Sequence, residues 1–171
     1  EGIYYEPRWF KAWRPNHKIH YKCFGKSIPT GDLIFKVNGI KIGFEICEDA
    51  WVKNRVGINL HKRKVDLILN PSASHFAFGK DKIREKLVVD GSKHFKCAYV
   101  YSNLLGCDSG RIIYDGDCLV AHKGRLLNKS TRLSFKEFDL TSATINFKAE
   151  SKKVAKAKSW QDSKDLKEEE F

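Results

Sequence analysis

Cys47 ends an apolar, β-rich run, Ile40 to Ile46, and is followed directly by Glu48 and Asp49, with Glu45 two positions before it. A thiol placed where a strand gives way to an acidic turn can sit in a cleft, where its thiolate acts as a covalent nucleophile. Attack on an amide carbon needs four things: a thiolate near neutral pH, a base that makes it, N–H donors for the tetrahedral oxyanion, and side chains that hold the substrate. Cys47 offers the thiol, and the backbone N–H of Glu48 stands where one oxyanion donor is needed. The six histidines (His17, His20, His61, His75, His94, His122) are scattered, so no Cys–His dyad is signalled. The competing reading is a packed structural thiol, because free cysteine is among the most buried residue types.

A second stretch with chemical potential is Asn70-Pro71-Ser72-Ala73-Ser74-His75-Phe76, running on to Lys80. Small hydroxylated residues beyond the C-terminal end of a strand lie where an α/β sheet binds small ligands. An ordinary turn with capping serines accounts for the same residues.

The elements that must position these residues can be read from pattern. Leu33 to Val37 and Ile40 to Ile46 are β-rich runs joined by Asn38-Gly39, the strongest short hairpin signal. Residues 52–64 read as a loop with a short helix. Val65-Asp66-Leu67-Ile68-Leu69 reads as a strand covered on both faces and stopped by Asn70-Pro71. A helical pattern runs from Lys80 to about Phe95, and Ala98-Tyr99-Val100-Tyr101 returns to strand. Tyr114 to Asp117 reads as a turn, Cys118–His122 and Arg125–Leu127 as a hairpin across Lys123-Gly124, and Leu140 to Phe147 alternates in β fashion. Residues 1–30 are aromatic-rich and read as an irregular packed segment. This succession specifies an α/β (α+β layered) domain.

Bulk properties narrow the class. The 171 residues suffice for one domain with a real core. The absence of Met and the opening at Glu1-Gly2-Ile3 are what a piece of a longer polypeptide would show. No apolar run is long enough to span a membrane. The five cysteines lack metal or disulfide-framework spacing, which fits reduced thiols of a cytoplasmic protein and no metal site. The net charge of +11 is spread over scattered residues, among them Lys11, Arg14, Lys62-Arg63-Lys64, Lys80, Arg84 and Lys86. It comes without a nucleic-acid-binding motif, so solvated surface is expected rather than a nucleic-acid partner. Ser151 to Lys158 has linker composition, and Ser163 to Glu170 looks like the capped start of a helix.

Several motifs together resemble one family. Phe44-Glu45-Ile46-Cys47-Glu48-Asp49-Ala50-Trp51 and Asn70 to Phe76 are similar to the glutaminase domain of glutamine-dependent NAD synthetases, within the nitrilase (carbon–nitrogen hydrolase) superfamily. So are Glu1 to Phe10, Tyr99 to Asp108 and Tyr114-Asp115-Gly116. The resemblance implies a nitrilase-like αββα sandwich, incomplete here, over residues 1–148, with 149–171 leading as linker and helix start to a synthetase domain. It implies that glutamine is hydrolysed and that the ammonia serves the amidation of deamido-NAD, with ATP and Mg2+ in the synthetase domain and no cofactor in this portion. Homo-oligomers are implied as well. Cys47 matches the nucleophile of a Glu–Lys–Cys set. Glu48, Ser74 and Lys80 match glutamine-binding positions, Lys80 where some members have Arg, and Glu6 matches a supporting position. The family's catalytic Glu and Lys precede the segment matching Glu1-Gly2, so these 171 residues alone are expected to be inactive. Glu45 invites reading as a buried, paired carboxylate. Two alternatives stay open: part of a stand-alone nitrilase-superfamily amidase, or a non-enzymatic basic binding module.

Overall fold

The computed structural model describes residues 11, 13–108 and 111–147. Glu6 and the linker and helix start expected over 149–171 lie outside them.

Three parallel strands form the centre of a six-stranded sheet: β4 (Ile40–Phe44), β5 (Leu67–Ser72) and β6 (Ala98–Asn103). Antiparallel β3 (Phe35–Val37) extends it on one side, and β9 (Cys118–His122) with β10 (Arg125–Lys129) on the other, giving the order β10-β9-β6-β5-β4-β3. Helix α1 (Val56–Lys62) links β4 to β5, and α2 (Lys80–Phe95) links β5 to β6, as parallel neighbours require a crossover. Two small antiparallel pairs stand apart, β1 (Lys18–Cys23) with β2 (Lys26–Gly31) and β7 (Leu105–Cys107) with β8 (Ile113–Asp115).

The hairpins follow from turn chemistry. Asn38 and Gly39 both adopt positive φ (51° and 83°), as a tight turn matched to strand twist demands. Lys123-Gly124 repeats the pattern at 48° and 88°.

The core lies between the sheet and the helices. Ile68, Tyr99, Tyr101, Leu119 and Ala121 from the strands meet Leu60, Val88 and Phe95 from the helices. Gly43 lets α1 approach, since a Cβ there would stand 2.6 Å from a Leu60 methyl. The opposite pleat of β4 to β6 carries Ile42, Phe44, Leu67, Leu69 and Val100, and is less covered, with Phe44 40% exposed.

Several expectations are corrected. Residues 18–31 are a regular hairpin, turned by Phe24 and Gly25 (φ 49° and 74°), where an irregular segment was expected from the aromatic content. Pro71 does not stop β5, which pairs with β6 through Ser72; Pro71 sits beyond the last residue of β4 in that ladder, where its missing N–H breaks no β4 bond. Residues 140–147 form no strand; Ser142 meets β10 through its carbonyl, which accepts from Asn128 Nδ2. Arg84, expected on the surface, is fully buried.

Candidate active site

β4 ends at Phe44, and the backbone N–H of Glu45 makes one further bond to the Leu69 carbonyl (3.0 Å) before the chain leaves the sheet. It enters a single 3₁₀ turn, Cys47–Ala50, whose first residue is Cys47. Cys47 has φ +46°, a left-handed conformation that costs a side-chain-bearing residue about 1–3 kcal/mol and persists where surroundings over-determine it. The Asp49 carboxylate accepts the Ile46 N–H (3.2 Å), and the Asp49 N–H reaches the Ile46 carbonyl (2.9 Å). The sharp exit lifts the thiol off the sheet, and Cys47 is half-buried. Cys97 is the contrasting case: sealed in the core, its thiol is pushed up to about 12 by burial, with Glu45 and Asp66 adding to the effect.

Glu45, two residues before the thiol, is a fully buried carboxylate and it is paired. It accepts from Arg55 Nε (3.0 Å) and Nη2 (2.6 Å), from the Gly57 N–H (2.7 Å) and from the Tyr99 hydroxyl (2.7 Å). Tyr99 in turn accepts from Asn70 Nδ2 (3.0 Å), and Asn70 Oδ1 accepts the Ser72 hydroxyl (2.6 Å). Arg55 is stacked near the Phe95 and Tyr99 rings.

Ser74 is held from below by a second buried network. Its N–H donates to Asn103 Oδ1 (2.8 Å), while its carbonyl accepts from Asn103 Nδ2 (2.9 Å) and Arg84 Nη2 (3.1 Å). Arg84 Nη1 bonds Asp115 at 2.6 and 2.8 Å, and Asn103 also donates to Asp115 (2.8 Å). Burial opposes ionisation of Asp115, but the hydrogen bonds from Arg84 and Asn103 prevail and hold its carboxyl below the ordinary value. Asp117, also fully buried, stands 3.5 Å from Arg84, and burial together with Asp115 pushes its carboxyl up.

Lys80 opens α2 at the same end of the sheet. Burial lowers its pKa and Arg84 adds to this, while Cys47 and Asp115 act in the other direction. The Tyr101 hydroxyl on β6 faces Ser72 and Ser74, buried and without a partner of good hydrogen-bond geometry among the described residues. Cys47, Glu48, Ser74 and Lys80 thus gather at the C-terminal edge of the parallel strands, where open α/β sheets bind ligands. Glu48 lies in the 3₁₀ turn beside the thiol and is half-buried. Glu6 falls outside the described residues. No group of three or more His, Cys, Asp or Glu among the described residues is arranged to hold a metal ion, and no helix there is long and apolar enough to cross a membrane.

Sequence reasoning missed Arg55, Arg84, Asn103 and Tyr101. Asn103 and Asp115 lie inside stretches that carry the family resemblance, which was the available signal. Arg84 offered none, since a lone arginine in a helix otherwise reads as surface.

The architecture is that of a carbon–nitrogen hydrolase. Residues 1–150 match the carbon–nitrogen hydrolase family, and the chain belongs to it. Among curated relatives, the glutamine-dependent NAD(+) synthetases of Drosophila melanogaster and Homo sapiens are each 30% identical over 155 residues. That alignment covers 85% of this chain but 20% and 22% of those proteins, so the chain spans about a fifth of their length. A crystal structure of a glutamine-dependent NAD(+) synthetase from Cytophaga hutchinsonii is 49% identical with TM-score 0.70, over 80% of this chain and 22% of that one. The amidase of Nesterenkonia AN1, from the nitrilase superfamily, shares the fold at TM-score 0.50 and 18% identity, over 57% of this chain and 36% of its own.

Proposed function

We propose that Cys47 is the nucleophile of a glutamine-hydrolysing site, the glutaminase portion of a glutamine-dependent NAD synthetase. The observation that carries this is the left-handed Cys47 at the end of β4, half-exposed, with the Lys80 ammonium and the Ser74 loop at the same sheet edge. The names of the relatives support glutamine as the amide and NAD synthesis as the destination of the ammonia.

The Cys47 thiolate attacks the side-chain amide carbon, and the oxyanion accepts from the Glu48 N–H. The C–N bond breaks, ammonia leaves with the proton taken from the thiol, and water hydrolyses the thioester to glutamate and free thiol. Ser74 and Glu48 bind the substrate, Lys80 pairs with its α-carboxylate as a point charge without the bidentate fit of an arginine, and Glu6 supports the site. In the parent protein the ammonia passes to a synthetase domain that uses ATP and Mg2+ to amidate deamido-NAD. Residues 1–148 are the glutaminase portion, 149–171 lead towards that domain, and the parent is a cytoplasmic homo-oligomer.

A protein containing this chain and the synthetase domain forms NAD from deamido-NAD, ATP and glutamine, and Cys47→Ala abolishes the glutamine-dependent rate. Amide hydrolysis with no ATP-dependent product would favour a stand-alone amidase instead. A polypeptide of these 171 residues alone lacks the matching Glu and Lys, and general acid–base help is worth about 10²–10⁴ in rate. It should therefore show negligible glutamine turnover, and turnover abolished by Cys47→Ala would overturn that.

A further inference from the structure

The pairing of β4 with β5 stops short of the site. The β4–β5 ladder ends at Phe44 and Leu69, with the Glu45 N–H bond to Leu69 as its last rung. Beyond it the chain of β4 turns away towards Cys47, while β5 continues through Asn70, Pro71 and Ser72, paired with β6 alone.

Side chains make the connection instead, along an unbroken line from Glu45 through Tyr99 and Asn70 to Ser72. Glu45 and Tyr99 are saturated. The Tyr99 hydroxyl has one proton, given to Glu45, and accepts from both Asn70 and Arg55 (3.1 Å). Glu45 and Tyr99 are fully buried and Asn70 is 1% exposed, so no water competes for the bonds that Tyr99 makes to them. A simple core tyrosine would need one partner; this one is wedged between the strand end that carries the thiol and the strand end that carries Ser72 and Ser74.

Resting on the glutaminase reading above, we infer that Tyr99 is a positioning residue that sets the register between the Cys47 turn and the substrate-holding Ser72–Ser74 loop. It touches neither substrate nor thiol. It acts by holding Glu45 and Asn70 at fixed separation, so that the bound amide carbon and the sulfur stand at attack distance. A displacement near 1 Å at such a site costs about a hundredfold in rate.

The test compares two electrophiles on a protein that contains this chain together with the Glu and Lys of the family's catalytic set, and on its Tyr99→Phe and Asn70→Ala variants, with modification mapped cysteine by cysteine by mass spectrometry. Iodoacetamide needs only an accessible thiol. The electrophile 6-diazo-5-oxo-L-norleucine must be seated as a glutamine before the thiol attacks. The unsubstituted protein is expected to react with the glutamine-shaped reagent at Cys47 in preference to its other cysteines. Tyr99→Phe is expected to slow that reaction about ten- to a hundredfold and to leave the iodoacetamide rate at Cys47 unchanged. Asn70→Ala should do the same, and the double variant should lose no more than the worse single one, because both cut one line. If either variant fails to fold, the other carries the comparison. Equal slowing of both reagents, or a lowered melting temperature with both rates intact, would reduce Tyr99 to a structural role and overturn the inference. Absence of any Cys47 preference in that unsubstituted protein would overturn the glutamine reading itself, and the inference with it.

Discussion

Two buried arginine–carboxylate clusters stand under the two halves of the candidate site, and they are satisfied differently. Beneath Cys47, Arg55 serves the single carboxylate of Glu45, whose two oxygens receive four donors. Beneath Ser74, Arg84 must serve two carboxylates, Asp115 at 2.6 Å and Asp117 at 3.5 Å, with Arg132 adding only a 3.4 Å contact to Asp115. Both oxygens of Asp117 and the Nε of Arg84 lack hydrogen-bond partners among the described residues. One arginine can ionise one buried carboxyl well; the second is left with a raised pKa, because a buried charge without a full set of partners is costly. Cys47 thus rests on a saturated support and the Ser74 loop on one with a titratable fault.

The contrast can be broken most forcefully at Arg84. Arg84→Met leaves two buried carboxylates without their main counter-charge and strips a donor from the Ser74 and His75 carbonyls. The expected loss is about 3–5 kcal/mol in urea unfolding. Glu45→Gln should cost less, about 1–3 kcal/mol, because Arg55 is 16% exposed and can turn its charge towards solvent. A Glu45 loss equal to or larger than the Arg84 loss would erase the distinction between the clusters.

The pH dependence sharpens it further, with a smaller effect. A carboxyl whose pKa is raised on folding binds more protons in the native state. Its contribution is therefore full below the ordinary value of 3.8 and is lost as pH rises through the raised one. Asp115 has the opposite sign: its contribution is present above 3.8 and is lost as pH falls through its lowered value. The stability of the chain minus that of Asp117→Asn should thus decline as pH rises from 3.8 and then level off, measured by urea unfolding across acid to neutral pH. A difference that climbs with pH would mean that Asp117 is held as a well-partnered anion.

The hairpins at Asn38-Gly39 and Lys123-Gly124 and the span of α2 were legible because turn residues and helical period act locally. The hairpin at Phe24-Gly25 was not, since phenylalanine is a poor announcer of positive φ and an aromatic-rich segment reads as packing. Cys47, Ser74 and Lys80 could be picked out from motif and resemblance. Their supports could not, because Glu45 reaches Tyr99 across 54 residues and Arg84 reaches Asp115 across 31. Such pairings exist only once the sheet has brought β4, β5 and β6 together. Residue type alone misassigns them: arginine is presumed exposed, and only the supply of carboxylates around Arg84 explains its burial.

The central claim is that Cys47, held left-handed at the end of β4, is a site thiol facing a glutamine-sized ligand. Alkylation by iodoacetamide with and without saturating glutamine, followed separately at each cysteine, tests it most directly. Cys47 should react, glutamine should protect it, the exposed Cys107 should react at the same rate either way, and the buried Cys97 should stay inert. A Cys47 as inert as Cys97, or one that glutamine leaves unprotected, would contradict the account.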